Sequence, residues 1–381
     1  MTDLLKNIEE LSPLIRERAF AAEQARRPDD DVIAALCEIG LFRHFVPKRF
    51  GGHEGTAQDF AKITQALSAH DASHGWVASF YMEHNWMVSL FPLQAQEEAF
   101  AARGFTTAPA CVAPTGNAEL VGGGYRINGQ WAFGTGICHA DWVLLACPAP
   151  DLGMGFFLLP VTEIEMLDTW HMAGMAATGS NDIKVENVFV PKHRAISLVD
   201  MAEGRAPGAA LYDGAMYRIP MAPFLASVVG AVAAGAAQGA VHIYQKRLEE
   251  RLMFGSGEKQ VDRPLARARL ARADADARLA ALAVSDVIDQ LVTSAENGTA
   301  KDLNIRAAMR IQTMRAVEIA RSAVQELAAG SGATAQQTHH PLQRALRDVT
   351  VLSAHAVVEP DTITELHGRM KLGMDPNTFM I

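Results

Sequence analysis

Apolar residues recur at three- and four-residue spacing near the start of the chain, in Ile8, Leu11, Leu14 and Ile15 and again in Val32, Ile33 and Leu36. That period predicts amphipathic helices from Leu4 to about Ala102. The pairs Arg27-Pro28, Gly51-Gly52 and Phe91-Pro92 break the run into separate helices, and Asp29, Asp30 or Asp31 stands where the next helix needs a cap. From Ala110 to Val190 the pattern changes to Gly-rich turns and short β-type runs, such as Val143-Leu144-Leu145 and Phe156-Phe157-Leu158-Leu159. After Pro191 a loop carries Gly204, Pro207, Gly208 and Gly214, and helical patterns then resume. The uncharged stretch from Ile219 to Val241 is mostly Ala, Gly and Val, too weakly apolar for a membrane span, and reads as a helix buried on all sides. Asp262-Arg263-Pro264 predicts an N-cap and an early proline for the following helix, with Leu265, Leu270, Leu279, Leu282, Val284 and Val287 as its apolar stripe. Further helices are expected from about Asn304 to Ala329 and from about Pro341 to His355. The expected division is a helical domain over 1–104, a β domain over 105–203 and a helical bundle over 204–381.

With 381 residues, 49% hydrophobic and 20% charged, the chain has the composition of an ordinary globular protein with a sizeable core. A formal net charge of −9 with no long basic run argues against nucleic acid as a partner. Cys37, Cys111, Cys138 and Cys147 form no C-x-x-C pair, so thiolate zinc and iron–sulfur sites lack their ligands. They read as free thiols of a reducing compartment, and the Met-Thr-Asp-Leu-Leu-Lys start lacks the pattern of a signal peptide, so a cytoplasmic protein without membrane contact is expected. His339-His340 have no third ligand at useful spacing, and no metal is expected. Neither a G-x-G-x-x-G after a strand nor a P-loop occurs, which removes the usual dinucleotide and nucleotide cradles.

The chemistry gathers in Gly123 to Gly136, a glycine-rich hairpin ending in Trp131-Ala132-Phe133-Gly134-Thr135-Gly136, which offers a hydroxyl and a tight turn to a flat ring. His139, just beyond it, is expected to pair with Asp141. Together with Gly174 to Asp182 and Arg251-Leu252-Met253-Phe254-Gly255, these segments resemble the flavin-binding segments of the acyl-CoA dehydrogenase fold. The resemblance implies an α+β, mostly α protein, with an N-terminal helical domain, a central β-barrel-like domain, a C-terminal four-helix bundle and a homotetrameric assembly. It also implies that Trp131, Phe133, Thr135, Gly136, Ser180, Arg251 and Phe254 hold the flavin, Arg251 through a phosphate and from a neighbouring subunit.

Met216-Tyr217-Arg218-Ile219-Pro220, Pro341 to Val349 and Leu366-His367-Gly368-Arg369 are similar to segments of the two-component flavin monooxygenases within that superfamily. Such an enzyme takes reduced FMN or FAD from an NAD(P)H:flavin reductase and, through a flavin hydroperoxide, inserts one oxygen atom into a small aromatic or heteroaromatic molecule. The resemblance gives His84 the deprotonation of a substrate hydroxyl, Thr135 a hydrogen bond to the reactive flavin nitrogen, and His355 assistance to hydroperoxide formation. Trp76, Phe80, Trp86, Phe91 and Cys111 are the expected pocket residues. Two other readings stay open. One is an acyl-CoA dehydrogenase passing electrons to an electron-transfer flavoprotein, although His367 stands where those enzymes typically offer a glutamate base and Glu365 is two places away. The other is a helical binding protein that has lost flavin.

Overall fold

The computed structural model describes residues 2–378 and 380–381. The N-terminal apolar period becomes α1 (Thr2–Ala25), α2 (Asp30–Glu38), α3 (Ala57–His70), α4 (Ala72–Ser89) and α5 (Leu93–Phe100). Of the three aspartates, Asp29 caps α2, its carboxylate accepting the Asp31 and Val32 N–H groups. α4 stands apart because it is buried around almost its whole circumference and yet carries His74, Glu83, His84 and Asn85. Buried polar groups in a helix need partners from other elements, and those partners build the site described below.

The central segment forms β1 (Ala110–Cys111), β2 (Asn117–Val121), β3 (Gly124–Trp131), β4 (Trp142–Ala149), β5 (Gly153–Pro160), β6 (Glu165–Leu167), β7 (Asp182–Pro191) and β8 (Ala195–Ser197). They make two four-stranded sheets, ordered β1-β4-β5-β8 and β2-β3-β7-β6, around a shared core that includes Tyr125, Trp131, Leu145, Phe157 and Val185. Among the described residues no ladder joins the sheets, so the expected barrel-like closure is replaced by two open sheets. Three of the four edge strands, β1, β6 and β8, have only two or three residues, and the fourth, the five-residue β2, pairs with β3 alone.

After the short α6 (Leu198–Ala202), the helices α7 (Met221–Glu250), α8 (Pro264–Glu296), α9 (Leu303–Ala329) and α10 (Pro341–Leu352) pack as a four-helix bundle, and α11 (Pro360–Lys371) lies along α9. α7 is the buried helix its composition predicts, and its glycines set the spacing: a Cβ on Gly235 would meet the Gln65 carbonyl, and one on Gly239 the Ala69 carbonyl, both of α3. In α8 half of the expected stripe holds, Val284 and Val287 buried and Leu270 packed against the core, and the other half does not. Ala266, Ala273, Ala277, Ala280, Val284 and Val287 face the bundle, whereas Leu265, Leu279 and Leu282 are 80%, 55% and 66% exposed. Small residues are what α8 needs against the closely packed α7, and those three leucines fall on the opposite side. The N-cap of α8 is Arg263, without a side-chain bond, and not Asp262.

A buried polar junction ties the three parts together next to the site. Asp71, the N-cap of α4, accepts from His74 Nδ1 at 2.8 Å and from Arg344 Nε of α10 at 3.1 Å. One turn along α10, Asp348 accepts the Met175 N–H of the β domain at 2.6 Å. Burial and the neighbouring Asp71 charge push the Asp348 carboxyl up to about 7. The start of α4 and the 175–180 loop are therefore fixed against the same helix.

Candidate active site

Trp76, Phe80, Glu83 and His84 stand at i, i+4, i+7 and i+8 of α4 and so share one face. Trp76 and Phe80 lie with ring centroids 4.3 Å apart, Phe80 meets His84 edge-on at 5.1 Å, and His355 meets Trp76 edge-on at 5.4 Å. An aromatic wall thus runs from His84 to His355, two residues that are 271 positions apart in the chain.

A chain of hydroxyls crosses this wall. The Trp76 indole Nε1–H donates to Thr135 Oγ1 at 3.3 Å, Thr135 and Ser180 hydroxyls are 3.0 Å apart, Ser180 and Thr178 hydroxyls 2.7 Å apart, and Thr178 donates to the Met175 carbonyl at 2.9 Å. An indole N–H only donates and a carbonyl only accepts, so the two ends orient the chain. Thr178 spends its proton on Met175, Ser180 donates to Thr178, and Thr135 donates to Ser180. What Thr135 has left is an oxygen lone pair. Gly134 and Gly136, expected to let a ring approach, make room inside the protein: a Cβ on Gly136 would strike the Tyr81 hydroxyl, which donates to the Gly136 carbonyl, and one on Gly134 would strike Asn181 and Ile183.

The two histidines have opposite polarity. His84 Nδ1 lies 2.5 Å from the Ala108 carbonyl, so Nδ1 carries the proton and Nε2 keeps its lone pair. His355 caps the turn Ala356–Val358, its Nδ1 accepting the Val357 N–H at 3.3 Å, so its Nε2 carries the proton. Burial lowers His84 to about 4, and burial together with the Arg310 charge lowers His355 to about 4, so both rings are neutral at pH 7. Arg310 is itself buried and donates to the carbonyls of Val357 and Met380, which fixes the turn that His355 caps.

Several expected residues lie elsewhere. Trp131 is a core residue of the β domain, its indole donating to the Ala146 carbonyl at 2.7 Å, with the ring packed against Gly116 and Gly129. Cys111 faces the same core because successive residues of β1 point to opposite sides, and burial pushes its thiol up to about 12. Trp86 is turned away from the Trp76 wall, donating to the Met216 carbonyl at 2.8 Å and lining a separate cavity of about 240 Å³ with Phe45 and Tyr217. Phe91 is fully buried beside Phe156. His139 pairs with Asp30 at 2.7 Å instead of Asp141, which Arg103 and Thr107 occupy. Arg251 and Phe254 follow the far end of α7, where Arg251 donates to the Ser331 carbonyl at 2.8 Å and Phe254 is fully exposed. Within one chain they do not join the Thr135 cluster. Glu365 pairs with Arg369 and Asn377 at the surface of α11.

Three residues of the site carried no strong signal in the sequence. Trp170 packs edge-on to the 64%-exposed Phe133 at 6.0 Å and donates to the Met175 carbonyl. Arg310 underpins His355. Glu83 has a buried carboxyl on the Trp76 face, and a charged residue inside that apolar period was the one available clue.

A flavin fits this set. The exposed Phe133 ring beside Trp170, the free Thr135 lone pair and the Trp76 wall suit a flat ring with a polar edge. Apart from that set, at the far end of α7, Arg247 and Arg251 share the Ser331 carbonyl and have no carboxylate partner among the described residues, which leaves them able to take a phosphate. Comparison with known proteins points the same way. Residues 8–103 match the acyl-CoA dehydrogenase N-terminal domain model and residues 227–360 the C-terminal domain model. The chain is 36% identical to a pigment production hydroxylase of Rhodococcus sp. (strain ATCC 21145), over 98% of this chain and 97% of that protein. It is 31% identical to the oxygenase component of the FADH(2)-dependent resorcinol hydroxylase of Rhizobium sp. (strain MTP-10005), over 98% and 95% respectively. The crystal structure of 3-HSA hydroxylase from Rhodococcus sp. RHA1 superimposes with a TM-score of 0.94 at 31% identity, covering 100% of this chain and 99% of that one.

Proposed function

The chain belongs to the acyl-CoA dehydrogenase family, among its flavin-dependent monooxygenase oxygenase components, and from that footing we propose that His84 is the base and His355 the hydrogen-bond donor of a phenol hydroxylation. Reduced flavin, delivered by a partner reductase, supplies when bound the electrons that activate oxygen for transfer of one atom to the aromatic substrate. The observation that carries the assignment is the opposite polarity of the two rings across one aromatic wall. A phenol hydroxyl against His84 donates to the Nε2 lone pair, and the ring gains electron density as that proton is drawn away. At the other end, His355 holds a proton on Nε2, ready for the charge that develops as oxygen is reduced. Thr135, with its own proton committed to Ser180, would accept from a ring N–H, a donor that a reduced flavin offers at its reactive nitrogen and an oxidised one does not. Trp76 and Phe80 keep this space apolar and limit water.

The assembly we propose is a homotetramer in which Arg251 reaches the flavin phosphate of a neighbouring copy, the exposed Phe254 packs against that flavin, and the exposed Leu265, Leu279 and Leu282 of α8 are covered. Four free cysteines support a cytoplasmic location. The test is a single turnover: protein with photoreduced flavin and phenol is mixed with ¹⁸O₂, and the products are read by mass spectrometry. One labelled oxygen in the ring product is expected. Hydrogen peroxide as the sole product, together with reduction of bound flavin by an acyl-CoA, would return the chain to the dehydrogenases.

A further inference from the structure

Glu83 is 1% exposed in the middle of α4, and its Oε1 has no hydrogen-bond partner among the described residues. Its Oε2 lies 4.0 Å from His84 Nε2, the lone pair assigned above to a substrate hydroxyl. No cation compensates it among the described residues, and burial raises its pKa well above the usual carboxylate range, which favours the neutral acid with one O–H donor and one carbonyl acceptor. A buried carboxyl with an idle oxygen destabilises a fold, and its place on the Trp76–His84 face makes a bound ring the natural partner.

We propose that Glu83 selects phenols that carry a second hydrogen-bond donor on the adjacent ring carbon, as an ortho-aminophenol does. The inference rests on the reading of His84 as the group that receives the phenol hydroxyl. With that hydroxyl donating to His84 Nε2, the Glu83 O–H donates to the hydroxyl oxygen and the Glu83 carbonyl accepts the ortho N–H. Neighbouring ring substituents lie about 2.7 Å apart and point to the same side, so hydrogen bonds of about 2.8 Å reach two acceptors separated by 4.0 Å. Substituents in the meta position diverge too widely to meet both groups.

The test compares phenol, 2-aminophenol and 3-aminophenol with the full-length protein holding reduced flavin, first by anaerobic equilibrium binding and then by single turnover with oxygen. The expected result is a Kd for 2-aminophenol roughly fivefold to tenfold below that for 3-aminophenol. Glu83→Gln offers the same donor and acceptor and keeps the preference, whereas Glu83→Met weakens all three rings and brings the Kd values of 2-aminophenol and 3-aminophenol together. Equal Kd values for the two isomers in the native protein, or a preference that survives in Glu83→Met, would overturn the assignment. Should Glu83→Met fail to fold, loss of the preference in Glu83→Gln would overturn it equally. Absence of binding and turnover with all three rings would overturn the phenol reading along with it, and turnover of all three with equal Kd would overturn the role of Glu83 alone.

Discussion

His84 and His355 bring the same side chain to opposite ends of the Trp76–Phe80 wall, both lowered to about 4, yet one ends as an acceptor and the other as a donor. The difference lies in the backbone group each one meets. His84 is inside a helix whose own carbonyls and N–H groups are already paired, so its ring reaches out to the Ala108 carbonyl of the neighbouring segment. His355 stands at the start of a turn, where N–H groups lack partners, and its ring accepts one of them, from Val357. Histidine leaves its tautomer open, and an unpaired backbone group on either side of the site closes the choice in opposite senses.

Removing each ring in turn tests the comparison most severely. His84→Ala should bind reduced flavin as the native protein does but form product about 10²–10³-fold more slowly, measured as single-turnover product yield against time. His355→Ala should leave substrate binding intact and slow the reaction of bound reduced flavin with oxygen by roughly 10²-fold, read by stopped-flow absorbance. If both variants failed at the same step, the division of labour between the two ends would be lost.

Acidity sharpens the comparison further. Both histidines are held near 4 in the fold and titrate near 6.5 when unfolded, so the unfolded chain takes up protons first as pH falls below 6.5, and stability declines until the folded rings titrate at about 4. For the fully buried His84 the loss between pH 6.5 and 5 is about 2 kcal/mol, and His84→Asn should flatten the slope of unfolding free energy against pH in that window. Asp348 has the reverse sign: it is raised to about 7 in the fold, so it favours folding at low pH and its contribution is lost as pH rises from about 4 to 7. The smallest effect belongs to the hydroxyl chain. Ser180→Ala removes the acceptor of the Thr135 proton, Thr135 then donates, and the preference for reduced over oxidised flavin should fall by about fivefold in equilibrium titrations.

Much of the molecule was legible before any coordinates. The change from helical period to β-type runs and back reappears as helices, strands and helices, and Asp29, Pro264 and the uncharged first part of α7 behaved as their local chemistry requires. The resemblance carried in the glycine-rich hairpin and the last helices led to Thr135, His84 and His355, which the fold brings to a common wall. Orientation was what misled. Trp131 and Cys111 lie in the right segments and face the wrong way, and three α8 leucines look like a core stripe while alanines do the packing.

By itself the sequence determined the order of helical and β-type regions and which residue types stand in each, because these follow from periodicity and local turn chemistry, while its resemblance to a flavin-binding family pointed to the segments worth inspecting. Only the tertiary structure decided that the Ala108 carbonyl would hold the His84 proton on Nδ1, that His355 would meet the Trp76 ring, and that Glu83 would be buried beside a lone pair with an unpartnered oxygen. Those outcomes depend on groups distant in the chain, where a shift of an ångström or a turn of a strand changes which partner is met, and no local pattern encodes that distance.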